Sequence, residues 1–472
     1  MNNFKKGMIY TSIGVYSNFL LQLVVSMVLS RLLTPKDYGV VAIMQIFIIF
    51  FALVIEAGMG PAIIQNNKLT KQDTRVLFNY SALFAIVMAA LFGGLGLLLS
   101  SIYGNPIYKT LTWVQSISVL MNGLNIVPTA ILNKGKQFKL VNFSAVFGNI
   151  IAAMVGITMA FLGAGVYSLI ASTIVSSTIN FILNKFFANL KFISTWSLGP
   201  LKVIWNFSKN QFGANFVNYL SRNTDNILIG KFMGASQLAN YNKAYNLVLL
   251  PNQLFQGVIS PVLQPVLANY QDDEPYIRKN YLRIIHILAL LGIPISVFFC
   301  MSAKQIIFFM YGSQWESAIA PFSILSSSIW LQMLLSSSGA IFQARNKSKL
   351  FFTVATGSAI IIVASIILGV ILGGIVNVSI SLAIGIGVNF LWSTSQLIKK
   401  CLDGSYFEYG RELISPLILG LIIFTALELI KYVKISNNFF DLVINIGVFV
   451  IIYVGYIFLS NEKSIIVSIY KR

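Results

Sequence analysis

Apolar residues run through this chain in long unbroken stretches. Val40–Ile55, Tyr80–Leu99 and Phe351–Ile371 are almost continuously apolar and show no strict alternation with polar positions. Continuity of this kind predicts helices rather than barrel strands, and a bilayer core needs about 20 apolar residues per helix. Hydropathy predicts fourteen spans, at 8–30, 40–62, 76–100, 111–132, 140–162, 166–188, 207–230, 239–267, 281–302, 317–343, 350–372, 376–398, 412–432 and 440–460. The intervening loops are short, and no segment suits a soluble domain. Lys5 and Lys6 precede an apolar run from Met8 to Leu33. That run is too long for a signal core and lacks a small-x-small cleavage site, so it reads as a retained first span.

Composition narrows the class. The chain has 472 residues, of which 57% are hydrophobic and 10% charged. Soluble domains carry about 25% charged residues, so the expected fold is an all-α integral membrane protein. The formal charge of +19 sits in short loops between spans, which is a topology signal rather than a nucleic-acid surface. With the N-terminus in the cytoplasm, about 24 Lys and Arg fall inside and about 7 outside. A missed span would invert that bias for everything after it. The bias persists to the end, so fourteen spans with both termini cytoplasmic are predicted. Cys300 and Cys401 have neither ligand nor disulfide spacing, and His286, the sole histidine, excludes a His-rich metal site. His286, one turn after Arg283, is expected to pack at the interface, with a proton relay as the alternative.

A repeat subdivides the spans. Ile131–Ile151 and Ile341–Ile361 align without gaps and share Lys139/Lys349, Leu140/Leu350 and Ala145/Ala355, among others. Ser30–Pro35 has a counterpart in Gly230–Ala235, and Leu162-Gly163 one in Leu372-Gly373. A spacing of six helices gives both copies the same orientation, a parallel repeat of the kind transporters use for alternating access. The expected organisation is an N-terminal lobe at 1–195, a C-terminal lobe at 196–402 and two additional helices at 403–472.

Polar residues in the spans supply the candidate chemistry. In the seventh, Gln211, Asn215, Asn218, Arg222 and Asp225 recur at spacings of four and three, within an arc of roughly 80°. Facing lipid would cost about 2.5–3.5 kcal/mol for a central Arg or Asp, so the stripe must face protein or water. Arg222 and Asp225 either neutralise each other structurally or line a cavity, Arg222 gripping a phosphate and Asp225 restraining it or binding a coupling cation. In the eighth span Asn242, Asn246, Gln253, Gln256, Ser260 and Gln264 share a face interrupted by Pro251, Pro261 and Pro265. Lys243 lies about 100° off that face and either snorkels outward or reaches the cavity. Weaker stripes join Thr11, Asn18 and Gln22 in the first span, and Ser118, Asn122, Asn125 and Thr129 in the fourth. These serve as helix glue or cavity wall. Glu56 is a lone carboxylate in the second span, a functional position by default. Arg75, Lys134, Lys136, Arg283, Arg345 and Lys347 rim the inner side, where they set topology, attract anionic lipid or draw in a pyrophosphate headgroup. The substrate-binding set is thus Arg222, Asn218, Asn215, Gln211, Asn18, Gln22, Asn242, Asn246, Gln253, Lys243 and Arg345. Asp225 and Glu56 are the ion-coupling candidates, and no catalytic or metal-ligating residue is expected.

The segment Leu29-Ser30-Arg31-Leu32-Leu33-Thr34-Pro35-Lys36-Asp37-Tyr38-Gly39 resembles the signature after the first helix of the bacterial polysaccharide transporters. These are the Wzx-type flippases of the multidrug/oligosaccharidyl-lipid/polysaccharide superfamily. Glu56-Ala57-Gly58 with Gly60, Gly163–Leu169, and Arg222–Gly230 extend the resemblance from the first span to about the twelfth. The resemblance implies a V-shaped fold of two six-helix lobes plus two helices. It implies transfer of undecaprenyl-pyrophosphate-linked oligosaccharide from the inner to the outer leaflet of the bacterial cytoplasmic membrane, for capsule, exopolysaccharide or O-antigen synthesis. A polysaccharide polymerase and a chain-length regulator are the implied partners, and the flippase itself is expected as a monomer. No Walker A loop is present, so sodium or proton coupling, membrane potential or product consumption must supply the energy. The rivals are a multidrug exporter and a lipid II flippase of the same superfamily. A membrane polymerase fits poorly, because the longest outer loops have only about a dozen residues and leave little room for a catalytic domain.

Overall fold

The computed structural model describes residues 3–268, 270–271, 273–432, 437–460 and 462. Among these the chain is built from helices and short turns. It divides into two compact units, Met1–Ala239 and Asn240–Arg472. The first holds α1 (Asn3–Leu32), α2 (Pro35–Glu56), α3 (Met59–Gln65), α4 (Lys71–Tyr103), α5 (Ile107–Lys134), α6 (Phe138–Phe161), α7 (Val166–Phe187) and α8 (Gly199–Met233). Helix α9 (Ala235–Ala268) begins in the first unit and continues in the second. There follow α10 (Glu274–Met301), α11 (Ala303–Tyr311), α12 (Ile319–Ser326), α13 (Ile329–Ser336), α14 (Ser338–Ala344), α15 (Ser348–Leu372), α16 (Gly374–Gln396), α17 (Tyr406–Ile430) and α18 (Asn438–Leu459).

Ten helical stretches among the described residues are long and apolar enough to cross a membrane, and a bent pair makes eleven. The protein is a multi-pass membrane protein. Helices α1, α8 and α9 are 30, 35 and 34 residues long. Each includes side chains outside the described residues, and of these three only the Tyr16–Leu32 part of α1 stands out as an apolar stretch among the described residues. Helix α8 carries Lys202, Lys209, Arg222, Asp225 and Lys231. Fourteen crossings require all three to span, so the predicted count rests on the helices with the polar stripes.

Local sequence explains the helix starts. Thr34 caps α2 and Thr70 caps α4, each in a reciprocal box with an acid three residues on, Asp37 or Asp73. Pro35 stands in the first turn of α2, where its missing N–H costs nothing. One predicted helix is two: the second span breaks after Glu56, with Ala57 at φ 41° and Gly58 at φ 72°. Helix α8 presses on this break. A Cβ at Gly58 would stand 2.8 Å from the Ser208 carbonyl oxygen and 3.0 Å from Gln211 Cβ, so glycine is required there twice over. Tyr219 of α8 donates to the Ile46 carbonyl of α2 at 2.9 Å. These contacts explain why α8 groups with the first unit. The tenth predicted span is bent too, by 51° between Ser313–Ser326 and Ile329–Ala344. The hydroxyls of Ser327 and Ser328 bond to the carbonyls of Ile324 and Leu325, and those of Ser336 and Ser338 to Met333 and Leu335. Back-bonding of this kind bends helices.

The segment after α7 is strapped to the first unit. Asn79 donates to the Ile193 carbonyl, Phe78 stacks on Phe192 at 4.4 Å, and Tyr80 meets Trp196 edge-on at 5.0 Å. In the second unit an apolar core joins α10 to α17 and α18 through Leu290, Leu419, Ile423, Leu427 and Leu442.

Candidate functional site: a polar interior in the first unit

Helices α1, α5, α6 and α7 turn amides and hydroxyls toward one another inside the first unit. Asn149 donates to Asn18 Oδ1 at 3.1 Å and accepts from Ser176 Oγ at 2.6 Å. Asn180 donates to the Ser176 carbonyl at 2.9 Å. Gln115 donates to Ser118 at 2.7 Å and to Thr173 at 3.0 Å. A cavity of about 460 Å³ opens on this network, walled by Gln22, Ser26, Tyr38, Asn122, Asn149, Ser176 and Asn180. A second, of about 350 Å³, has Asn122 in common and runs along Asn125, Thr129 and Asn133 to Glu56. Asn184 secures its wall, donating to Asn125 at 3.0 Å and Thr129 at 3.2 Å.

Glu56 is the last residue of α2, at the break. Its carboxylate leans over Gly60, 3.3 Å from where a Cβ would stand. A carboxylate at a helix C-terminus adds to the negative end of the helix dipole, so the break favours a cation. Residues of the same break, Ala57 and Met59, also border an apolar cavity of about 380 Å³ with Tyr80, Phe84, Trp205, Phe212 and Lys209.

The remaining predicted residues lie in several places. Gln211 donates to Asn215 at 3.0 Å on α8, and both are half-buried. The Asn218 side chain, like those of Gln256, Ser260 and Gln264, lies outside the described residues. Arg222 is exposed while Asp225 is buried, its Oδ1 accepting from the Asn226 amide at 2.7 Å. Among the described residues no ion pair includes Arg222. In the second unit Asn242 is half-buried, and Asn246 and Gln253 are exposed. Lys243 is buried, its Nζ 4.5 Å from the Tyr311 ring and 5.3 Å from Trp315. That placement is a cation on two aromatic faces, not a side chain snorkelling to the interface. The Arg345 guanidinium bonds to Glu274 at 2.6 Å, the Gln271 carbonyl at 2.6 Å and the Cys401 carbonyl at 3.2 Å. Of the other rim cations, Lys134 donates to the Asn66 carbonyl at 2.6 Å.

The sequence reading overlooked Asn149 and the α7 stripe. Thr173, Ser177, Asn180 and Asn184 recur at spacings of four, three and four, with Ser176 beside them, as visible a signal as the seventh span's. It was masked by the hydropathy of the residues between them.

Three of the segments that carry the family resemblance meet at the start of α2. A Cβ on Gly39 would stand 2.1 Å from the Ala235 carbonyl oxygen, just past the Arg222–Gly230 segment. A Cβ on Gly230 would touch Ile43 and Leu238, and one on Gly165 (φ 55°) would lie 3.6 Å from Asp37. Leu29 and Leu33 form an apolar cluster with Tyr38 and Leu169 around them.

Comparison with known proteins places this architecture. An uncharacterized membrane protein in the cps region of Klebsiella pneumoniae is 24% identical over 458 residues, 92% of this chain and 90% of that protein. The lipopolysaccharide biosynthesis protein WzxC of Escherichia coli is 21% identical, over 85% of this chain and 82% of its own length. The lipid II flippase MurJ in an inward closed conformation has the same fold, with TM-score 0.72 at 18% identity, covering 95% of this chain and 98% of that one. A family model described as polysaccharide biosynthesis protein matches residues 28–320, more than half of the sequence. The chain belongs to the polysaccharide biosynthesis protein family.

Proposed function

We propose that this protein is a flippase, not an enzyme. It moves undecaprenyl-pyrophosphate-linked oligosaccharide repeat units from the inner to the outer leaflet of a bacterial cytoplasmic membrane by alternating access. The observation that carries this reading is an exposed guanidinium, Arg222, in the middle of a long helix of a membrane protein. Lipid is an unfavourable neighbour for it, so it faces water or an anionic cargo. Arg222 grips the pyrophosphate as a planar, multidentate donor. The amide walls around Asn18, Gln22 and Asn122 suit sugar hydroxyls, which need neutral donors and acceptors. The isoprenoid tail stays in the bilayer, and the aromatic cavity with Lys209 suits an apolar chain with an anionic head. Glu56 and Asp225 are the coupling carboxylates for sodium or protons. Both termini lie in the cytoplasm. The two lobes and two added helices act as a monomer beside a polymerase and a chain-length regulator.

The test is complementation of a strain lacking this protein, with lipid-linked repeat units counted on each side of the membrane. Arg222→Ala is expected to leave lipid-linked units stranded inside at unchanged protein level. A fully active alanine variant excludes Arg222 from the mechanism. Rescue of a strain lacking its lipid II flippase instead would reassign the cargo.

A further inference from the structure

The chain's one histidine is buried in the second unit, on α10, against α17 and the residue shortly after α18. Its Nε2 lies 2.7 Å from Glu462 Oε2. Its Nδ1 lies 2.9 Å from the Glu412 carbonyl oxygen and 3.2 Å from Glu412 Oε2. The side chains of His286 and Glu462 are each only 7% exposed. The second oxygen of Glu462 is held by Ser415 Oγ at 2.5 Å, and Ser415 lies 2.9 Å from the Tyr456 hydroxyl.

Every group facing the ring is an acceptor. A neutral imidazole has one protonated and one bare nitrogen, and here the bare one would point its lone pair at an oxygen lone pair. With both carboxylates ionised, only a ring protonated on both nitrogens satisfies both sides. We propose that His286, Glu412 and Glu462 form a proton-binding site, holding His286 as an imidazolium that fastens α17 and the end of α18 to α10.

Among the described residues no further charged side chain bonds to the ring or its two carboxylates. Tyr456 is the ionisable group that α18 itself presents to the cluster. Helices α12 and α13, which also pack on α10, carry no ionisable side chain. Lys304 of α11 stands past the far end of α10. On α10 itself Arg283 is exposed, and Arg278 is engaged by Glu408 of α17 at 3.8 Å and the Asp403 carbonyl at 2.8 Å. Arg411 of α17 is exposed. With the proton the cluster is one cation between two carboxylates. Without it, two carboxylates face each other across a neutral ring, Glu462 buried and Glu412 34% exposed, and the contact turns repulsive. The site joins a helix of the repeat to the two helices outside it, and it does not depend on the transport reading.

A single histidine makes the test unambiguous. The full-length protein is reconstituted in lipid nanodiscs with isotope-labelled imidazole nitrogens and its spectrum recorded at about pH 7.5, where a free imidazole is mostly neutral. Two protonated-nitrogen signals are expected, and a bare nitrogen in the wild-type protein overturns the proposal. Glu462→Gln is expected to return the ring to one protonated and one bare nitrogen. If that variant does not fold, the wild-type spectrum still decides. The fastening is read by amide exchange: His286→Gln is expected to speed exchange at the end of α18 by about tenfold or more. Unchanged protection there would refute the fastening.

Discussion

Residues 131–187 in the first unit and the stretch 210 residues later in the second share one frame and fill it oppositely. The turn after α5 is closed by Gly135 N–H to Ile131 O and Gln137 N–H to Leu132 O. The turn after α14 uses Arg345 N–H to Ile341 O and Lys347 N–H to Phe342 O. Lys136 and Asn346 both take positive φ, 58° and 53°, and Gly163 and Gly373 both sit at φ 78°. Yet Asn149, Thr173, Ser176 and Asn180 of the first copy stand opposite Ala359, Ala383, Ile386 and Phe390 of the second. The turns set the frame, and the side chains between them are free to differ. The first copy has spent that freedom on an amide-walled cavity, the second on packing, with Phe390 buried against Trp330 and Tyr409.

This contrast predicts that equivalent substitutions fail in different ways. Phe390→Asn is expected to destabilise the protein by about 3–5 kcal/mol, read as a fall in melting temperature, with transport per folded molecule preserved. The converse exchange gives the first copy the lining of the second, as Asn149→Ala, Thr173→Ala and Ser176→Ile together. It is expected to slow transport per folded molecule by about tenfold or more, because the wall that the cargo meets loses its polar groups. It is expected to lower the melting temperature too, because the Asn149–Asn18, Ser176–Asn149 and Gln115–Thr173 hydrogen bonds are lost at about 0.5–1.5 kcal/mol each. If both exchanges reduce transport equally, the second copy also lines the path and the contrast is lost. A finer comparison uses Gly39 and Ala239, which occupy matching places after the caps at Thr34 and Gly234. Gly39→Ala forces a Cβ into a carbonyl and is expected to cost about 1–3 kcal/mol. Ala239→Gly is expected to cost about 1 kcal/mol, the ordinary penalty of glycine in a helix. Thermal melts of the two variants side by side measure the difference.

Much of the frame was legible from hydropathy and the repeat. The helix turns at 131–137 and 341–347 follow the aligned segments, and the polar stripe of α8 was visible as spacing. Breaks were less legible. Ala57-Gly58 looked like one more small-residue stretch because what demands a left-handed glycine there is the approach of Ser208 and Gln211, far along the chain. Candidate sites dispersed for a similar reason. Charge on a helix face announces that a partner exists but not which one, so Arg345 reads as a rim cation that meets the substrate, and Lys243 as one that snorkels outward or reaches the cavity. One is held by a carboxylate and two carbonyls, and the other lies over two rings. The histidine cluster was hidden because its carboxylates come from positions 126 and 176 residues away.

The meeting of three signature segments at the start of α2 bears on how relatives of this protein can be sorted. Those segments are held together by backbone clearance, a helix cap and aliphatic contacts. Sequences that retain them have retained a joint, and the joint is indifferent to which glycan passes. Resemblance in these stretches therefore groups proteins by mechanical descent. Predicting the sugar calls for comparing the cavity positions on α1, α5, α6 and α7, where two members with matching signatures are free to carry different cargo.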